Sequence, residues 1–227
     1  MSVLDTEILP VEIEESPKTD YSVLEKIIKR TIDICGALVG IIILFPTTIV
    51  IKIANLVKGN KNSIFFSQER IGKDGKLFKL YKFQTMVPNA DEYLKKYLDE
   101  NEEARNEYKK YKKLKDDPRV TDIGKVLRRT SLDEFPQFIN VLKGDMSLVG
   151  PRPYLPREKD DMVGYYDYIV KCQPGITGLW QVSGRNEVDF ENRLKSDYKY
   201  YQNRSLTNDT SILFKTVGIV TNKKGAL

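Results

Sequence analysis

Asp133 and Glu134 are adjacent carboxylates that follow Arg128-Arg129-Thr130-Ser131-Leu132 and precede Phe135-Pro136, and Arg152 stands between two prolines shortly after them. Acids in this setting have a structural reading. Ser131 and Glu134 have capping-box spacing, which puts Pro136 at the fifth helical position; with Asp133 as N-cap, Pro136 falls at the third, where its missing N–H is tolerated. Either way the acids favour the positive end of a helix. They also have a chemical reading. Two carboxylates among Arg128, Arg129 and Arg152, beside the free N–H groups of a helix start, suit Mg²⁺ and phosphate, and one could attack phosphorus to give an aspartyl phosphate. The 227-residue chain contains no histidine, which removes Ser-His-Asp triads, imidazole bases and His-ligated metals. Cys35 and Cys172 are too far apart for a metal motif, and a reducing compartment with free thiols is the simpler expectation. No Walker, dinucleotide or kinase signature is present.

The segments around these residues alternate between strand and helix patterns. Ile64 to Arg70 and Leu77 to Phe83 flank Lys73-Asp74-Gly75 and read as a hairpin, with Phe78, Leu80 and Lys82 on one face and Lys79, Tyr81 and Phe83 on the other. Residues 91–117 are dense in both charges, with Tyr and Leu at helical spacing, and predict a long solvated helix or a helix pair. A short helix ends at Arg128-Arg129, an amphipathic helix runs through Val141-Leu142 to a stop at Gly144, and Met146 to Val149 reads as a strand entering Gly150-Pro151-Arg152-Pro153. Pro174 to Arg185 reads as turn, short strand and turn, before polar helices with tyrosines.

From Ile34 to Ile51 there are 18 residues without a charge. As a helix they measure ~27 Å, near the short end of what spans a bilayer core of ~30 Å. Ser22 and Glu25 have capping-box spacing, so the helix should begin near Val23 and carry Lys26, Lys29 and Arg30 into the run. Lys52, Lys58 and Lys61 follow it, so neither flank is marked as outside. Pro46 removes a backbone hydrogen bond to the Ile42 carbonyl, with Thr47 and Thr48 at hand for freed carbonyls. These features fit a re-entrant helix with both ends on one side, or a kinked single pass. Gly36 and Gly40 make a small-xxx-small pair suited to close packing. The net charge of +5 divides unevenly: the first 20 residues hold six acids and one lysine, so the remainder carries +10. That body suits anionic lipid or a phosphorylated substrate, and lacks the motifs of a nucleic-acid binder.

The ordered motifs Asp117-Pro118-Arg119 to Gly124, Leu127-Arg128-Arg129 to Gln137, Asn140 to Pro153 and Pro174 to Arg185 resemble the core signature of the bacterial sugar transferases, the monotopic polyprenyl-phosphate phosphoglycosyl transferases. Lys29-Arg30-Thr31-Ile32-Asp33, Gln68-Glu69-Arg70-Ile71-Gly72 and Tyr81-Lys82-Phe83 match as well. The resemblance implies an α/β monotopic membrane protein: an acidic flexible leader (1–21), an interfacial plus Pro-kinked re-entrant membrane helix (22–58) and a small cytoplasmic catalytic domain with interfacial helices (59–227). It implies transfer of sugar 1-phosphate from a UDP-sugar to undecaprenyl phosphate at the cytoplasmic face of the bacterial plasma membrane, with release of UMP. Asp133 then becomes the nucleophile of a covalent phosphosugar intermediate and Glu134 its helper, together holding Mg²⁺. Arg152, Lys82, Arg128, Arg185 and Arg70 become substrate-binding residues. The chain end and the Trp180 motif resemble the glucose or galactose branch rather than the N-acetylated one, which is the alternative donor. A different class of function, a basic membrane-anchored lipid-binding scaffold, would leave Asp133-Glu134 beside Arg152 without a role. Phe45, Gln84 and Arg204 stand where the family usually has serine, arginine and tryptophan, and the resemblance implies that the last bears on sugar choice. With no further apolar span before residue 34, the chain resembles the minimal catalytic form. Clustered tyrosines (Tyr165, Tyr166, Tyr168, Tyr198, Tyr200, Tyr201) suit either an interfacial seat or a packed face. The pattern sets no oligomeric state.

Overall fold

The computed structural model describes residues 17–57, 63–183 and 189–221. Its first helix, α1, runs from Val23 to Val57 and is helical through Pro46. The expected capping box starts it: Glu25 Oε2 accepts from Ser22 N at 2.8 Å and Ser22 Oγ from Glu25 N at 3.2 Å. Thr47 and Thr48 hydroxyls bond the carbonyls of Ile43 and Leu44, four residues back, not the Ile42 carbonyl that Pro46 leaves without its usual partner.

Strands β1 (Phe65–Ile71) and β2 (Leu77–Phe83) pair antiparallel with Phe65 opposite Phe83. The turn between them holds Asp74 and Gly75 at φ 56° and 74°. Both faces of β2 are covered at its end. Leu80 and Phe83, expected on opposite faces, are both 1% exposed, because Leu80 packs with Ala37 and Val141 while Phe83 joins Leu44, Ile51 and Leu127. The charged region is a helix pair, α2 (Ala90–Glu100) and α3 (Glu102–Tyr111), with a small core of Leu94, Ala104 and Leu114. Helix α4 (Asp122–Arg129) is capped by Thr121, whose Oγ1 accepts from Gly124 N at 3.0 Å. Helix α5 (Gln137–Lys143) stops at Gly144, whose φ of 87° only glycine adopts without strain.

Strand β3 (Ser147–Val149) comes next, then the short helix α6 (Tyr166–Ile169) and strand β4 (Gly175–Thr177), which pairs parallel with β3. Trp180 lies in one turn of helix, α7 (Leu179–Val182), just past the expected short strand. Helices α8 (Phe190–Gln202) and α9 (Leu206–Thr221) complete the described chain. The largest core cluster joins α6, α8 and α9 to Val149 and Tyr154. Tyr165, Tyr198, Tyr200 and Tyr201 are all buried within it, so the tyrosines build core rather than an interfacial seat.

Along α1 the buried residues are Asp33, Ala37, Gly40, Leu44, Ile51 and Asn55, a single stripe at helical spacing. A methyl group on Gly36 would strike Leu148, and one on Gly40 would strike the ring of Phe138, so the small pair sets how closely α1 lies on the domain. Asp33 Oδ1 accepts from Leu148 N at 2.8 Å and from Ser147 Oγ at 3.0 Å. Arg30 donates to the Val141 and Leu142 carbonyls at 2.7 and 2.9 Å, a cation on the negative end of α5. Lys29 reaches Asp209 Oδ2 at 2.6 Å. Lys29 and Arg30 therefore tie α1 to the domain. Away from this stripe, Leu38, Val39, Ile42, Phe45, Val50, Ile53 and Leu56 are exposed, and α1 is long and apolar enough to anchor the protein in a membrane. The leader's last residues are also fixed: Thr19 N donates to Gln202 O and Tyr21 OH to Asp209, while residues 1–16 lie outside those described. Both cysteines are free, as expected.

Candidate active site

The carboxylate pair does not start a helix. Ser131 takes a left-handed conformation (φ 56°) with no side-chain cap, Leu132–Glu134 form one 3-10 turn, and α5 begins only after Pro136. Both helix-start registers are thereby overturned, because Pro136 stands before α5 and the acids are left outside it. A non-glycine residue held at positive φ stores strain at this corner. The turn is gripped by Leu132 and Phe135, which pack into the cluster of Leu44, Ile51, Phe83 and Leu127.

Glu134 turns to β2 instead of capping. Its Oε1 accepts from Lys82 Nζ at 2.8 Å with both side chains part-exposed. Asn140, fully buried on α5, fixes that strand: its Oδ1 accepts from Tyr81 N at 3.0 Å and its Nδ2 donates to Lys79 O at 2.7 Å. The residue that registers β2 against α5 thus holds Lys82 against the Asp133 turn. Arg128 reaches the same place from the last turn of α4, donating to Thr85 Oγ1 at 3.2 Å. Burial raises the Asp133 carboxyl above the ordinary aspartate range, and the Glu134 charge adds to this; Lys82 and Arg128 pull it back. Burial lowers the Arg128 guanidinium despite the nearby acids.

A second group of charges lies beyond Glu134. Arg70 on β1 donates to Pro153 O at 3.1 Å and Gln68 Oε1 at 2.8 Å, and its charge is felt at Glu134's side as well as Arg152's. Burial, then Arg152, push its pKa down to about 9. Arg152 and Arg193 both sit over the Trp180 ring, at 5.9 and 5.4 Å from its centre. Burial, then Arg152, lower Arg193 to about 10; burial, then Arg193 and Arg152, lower Lys113 to about 8. Among the described residues, the buried donors Arg70 Nε, Arg152 Nε and Trp180 Nε1 have no hydrogen-bond partner. The backbone of Arg152 is anchored by Asp197, whose Oδ2 accepts from Arg152 N at 3.1 Å and Tyr154 OH at 2.7 Å. Fully buried, Asp197 is pushed up to about 7 by desolvation, against those bonds.

The structure thus gathers Asp133, Glu134, Lys82 and Arg128 at one turn and Arg70 with Arg152 at the neighbouring cluster. Arg185 lies outside the described residues. Lys113, Arg193, Asn140 and Asp197 were missed by the sequence reading; Arg193 and Asp197 are four apart on α8, a spacing that puts both on one face.

A match to the bacterial sugar transferase family model covers residues 24–223. The chain belongs to the bacterial sugar transferase family. It is similar to a UDP-galactose-lipid carrier transferase of Erwinia amylovora, 46% identical over 201 residues, covering 88% of this chain and 42% of that protein. An undecaprenyl-phosphate galactose phosphotransferase of Salmonella typhimurium is also 46% identical, with the same coverage. The exopolysaccharide production protein ExoY of Sinorhizobium fredii is 42% identical over 199 residues, 87% of each chain. This sugar transferase chain therefore spans under half the length of the first two relatives and most of the third. Two of its departures from the family pattern have visible partners. Gln84 donates to Met86 O at 2.8 Å. Arg204 pairs with Asp20 at 2.8 Å and lies beside Cys172.

The donor chemistry of Asp133 and Glu134 fits a hard divalent cation such as Mg²⁺, which takes one or two carboxylates and completes its shell with phosphate and water. Among the described residues no group of three or more Asp, Glu or Cys could hold such an ion by itself. The two carboxylates would therefore bind it together with a phosphorylated substrate.

Proposed function

We propose that this protein transfers hexose 1-phosphate from a UDP-hexose, galactose being the first to test and glucose the second, to undecaprenyl phosphate. UMP is released and a lipid-linked glycan is begun. The single observation that supports this best is the Asp133 turn: a buried carboxyl raised above the ordinary aspartate range, beside a second carboxylate held by Lys82, with Arg128 adjacent. The names of the relatives, which include a galactose phosphotransferase and an exopolysaccharide protein, support the substrate class.

In the first step an Asp133 carboxylate oxygen attacks the phosphorus that bears the sugar, the bond to the bridging oxygen breaks, and UMP leaves with that oxygen. In the second, an oxygen of undecaprenyl phosphate attacks the same phosphorus and frees the Asp133 carboxylate. Lys82 and Arg128 favour the ionised form of Asp133 against its burial. Arg70 and Arg152, with buried N–H groups to offer, take the donor's phosphate oxygens, and Lys113 and Arg193 add charge behind them. Mg²⁺ held by Asp133 and Glu134 would neutralise the charge that builds on the leaving phosphate.

The membrane anchor belongs to the same proposal. The buried stripe of α1 extends from Asp33 to Asn55, ~33 Å along the helix, all of it against one domain. One face laid against the domain over that length supports a helix that stays on one side of the bilayer over one that stands upright across it. We assign α1 to one leaflet with both ends cytoplasmic, its exposed apolar side in lipid and the reaction centre at headgroup level, where a lipid acceptor can reach it. The test is UMP release from UDP-galactose and UDP-glucose by the full chain in membranes with Mg²⁺ and undecaprenyl phosphate. Release that requires the lipid supports the reading; absence of UMP with every UDP-sugar overturns it.

A further inference from the structure

A cavity of about 290 Å³ opens beneath the first turns of α1. Six cations line it: Lys26, Lys29, Arg30, Lys73, Lys171 and Arg204. The acids near it are already engaged. Asp20 pairs with Arg204 at 2.8 Å, Asp209 with Lys29 at 2.6 Å, and Asp33 accepts from Ser147 and Leu148. Lys26, Lys73 and Lys171 have no carboxylate in ion-pair contact among the described residues, and Lys171 lies over the rings of Tyr168 and Tyr201 at 5.1 and 5.8 Å. The cavity therefore holds an excess of positive charge with tyrosine at its wall.

Its position completes the argument. Leu24, Ile27 and Ile28 on the same turns of α1 are exposed, so an apolar surface adjoins the cationic cavity. Arg30 and Leu44 are 14 residues apart on α1, about 21 Å along the axis, and Leu44 is the residue that packs with Leu132 and Phe135 around Asp133. An anion bound at the basic end cannot be the phosphate reacting at Asp133.

We propose that this cavity binds the phosphate of an anionic membrane phospholipid, with the acyl chains lying along Leu24, Ile27 and Ile28. Phosphate in the cavity would fasten the basic end of α1 to the headgroup plane and fix the depth of the domain. The proposal does not depend on the reaction assigned above.

The experiment uses the full chain in nanodiscs of phosphatidylcholine with and without phosphatidylglycerol, with the Tm read by intrinsic fluorescence. Phosphatidylglycerol should raise the wild-type Tm by about 3 °C. The exposed triple variant Lys26→Gln, Lys73→Gln, Lys171→Gln should lose most of that shift. A triple variant of equal charge change elsewhere, Lys95→Gln, Lys109→Gln, Lys125→Gln, should keep it. Millimolar inorganic phosphate added to phosphatidylcholine discs should give no shift. Full retention of the shift by the cavity variant, equal loss in the control variant, or reproduction of the shift by inorganic phosphate would each overturn the proposal. So would the absence of any wild-type shift.

Discussion

Two charge clusters lie side by side in this protein and are built on opposite terms. At the Asp133 turn, carboxylates and cations answer each other: Glu134 binds Lys82, and Arg128 stands beside Asp133. Around Trp180, Arg70, Lys113, Arg152 and Arg193 feel one another's charge more than that of nearby acids such as Glu158, and three of the four have their pKa values pushed down by burial and by their neighbours' charge. A balanced cluster is complete without a ligand and can present a reactive carboxylate. A repelling one gains most when an anion enters. The difference assigns chemistry to the first cluster and donor binding to the second.

The largest effect that would break this division is Asp133→Asn, for which UMP release should fall by ~10⁴-fold or more, while nearly wild-type turnover would remove Asp133 from the reaction. Arg152→Ala should lower kcat/KM by ~10²-fold with the larger part in KM, because it acts on the donor; a loss confined to kcat would move Arg152 into the chemical step.

Much of this was legible in the sequence, and the exceptions have physical reasons. The hairpin, the charged helix pair, the Ser22-Glu25 capping box and the Gly144 stop all come from local chemistry and hold in the structure. The Asp133 turn was misread as a helix start because Ser131 and Glu134 have cap spacing; the cap is absent because Lys82, fifty-two residues upstream, takes the Glu134 carboxylate. Such a long-range partner leaves no mark in local spacing. The same holds for Arg193 and Lys113, whose roles depend on the approach of α8 to the segment after α3, and for the tyrosines of α8, whose burial is decided by α6 and α9. Asp133, Glu134, Arg128 and Arg152 were legible from their own types and spacing, Lys82 and Arg70 from the resemblance, and the structure explains their company.

A smaller effect sharpens the contrast through pH. Asp133 must be ionised to attack, and its carboxyl is raised, so activity should fall on the acid side at higher pH than an ordinary aspartate would give. Glu134→Gln removes a raising charge and should move that acid limb to lower pH; Lys82→Gln removes a lowering one and should move it to higher pH. pH profiles of kcat/KM in the two variants check the signs, and shifts in the same direction would refute the balanced-cluster account.

The smallest effect is on stability. Burial pushes the Asp197 carboxyl up to about 7 in the fold from an ordinary aspartate value of 3.8, so the folded state holds its proton more tightly. Its contribution should be fully present below about 4 and be lost as pH rises toward about 7. Asp197→Asn should flatten the urea-unfolding midpoint between those values relative to wild type, and an unchanged slope would mean that Asp197 is ionised in the fold throughout.

The central claim is that the sugar phosphate is carried covalently on Asp133. It is tested most directly by mixing the full chain with Mg²⁺ and UDP-galactose labelled at the sugar-bearing phosphorus, without undecaprenyl phosphate, and mapping the trapped label by mass spectrometry. The account predicts about one UMP released per chain and the hexose phosphate on the peptide containing Asp133, with neither in Asp133→Asn. A label on another residue, or UMP formed only when lipid acceptor is present and with no labelled chain, would contradict it.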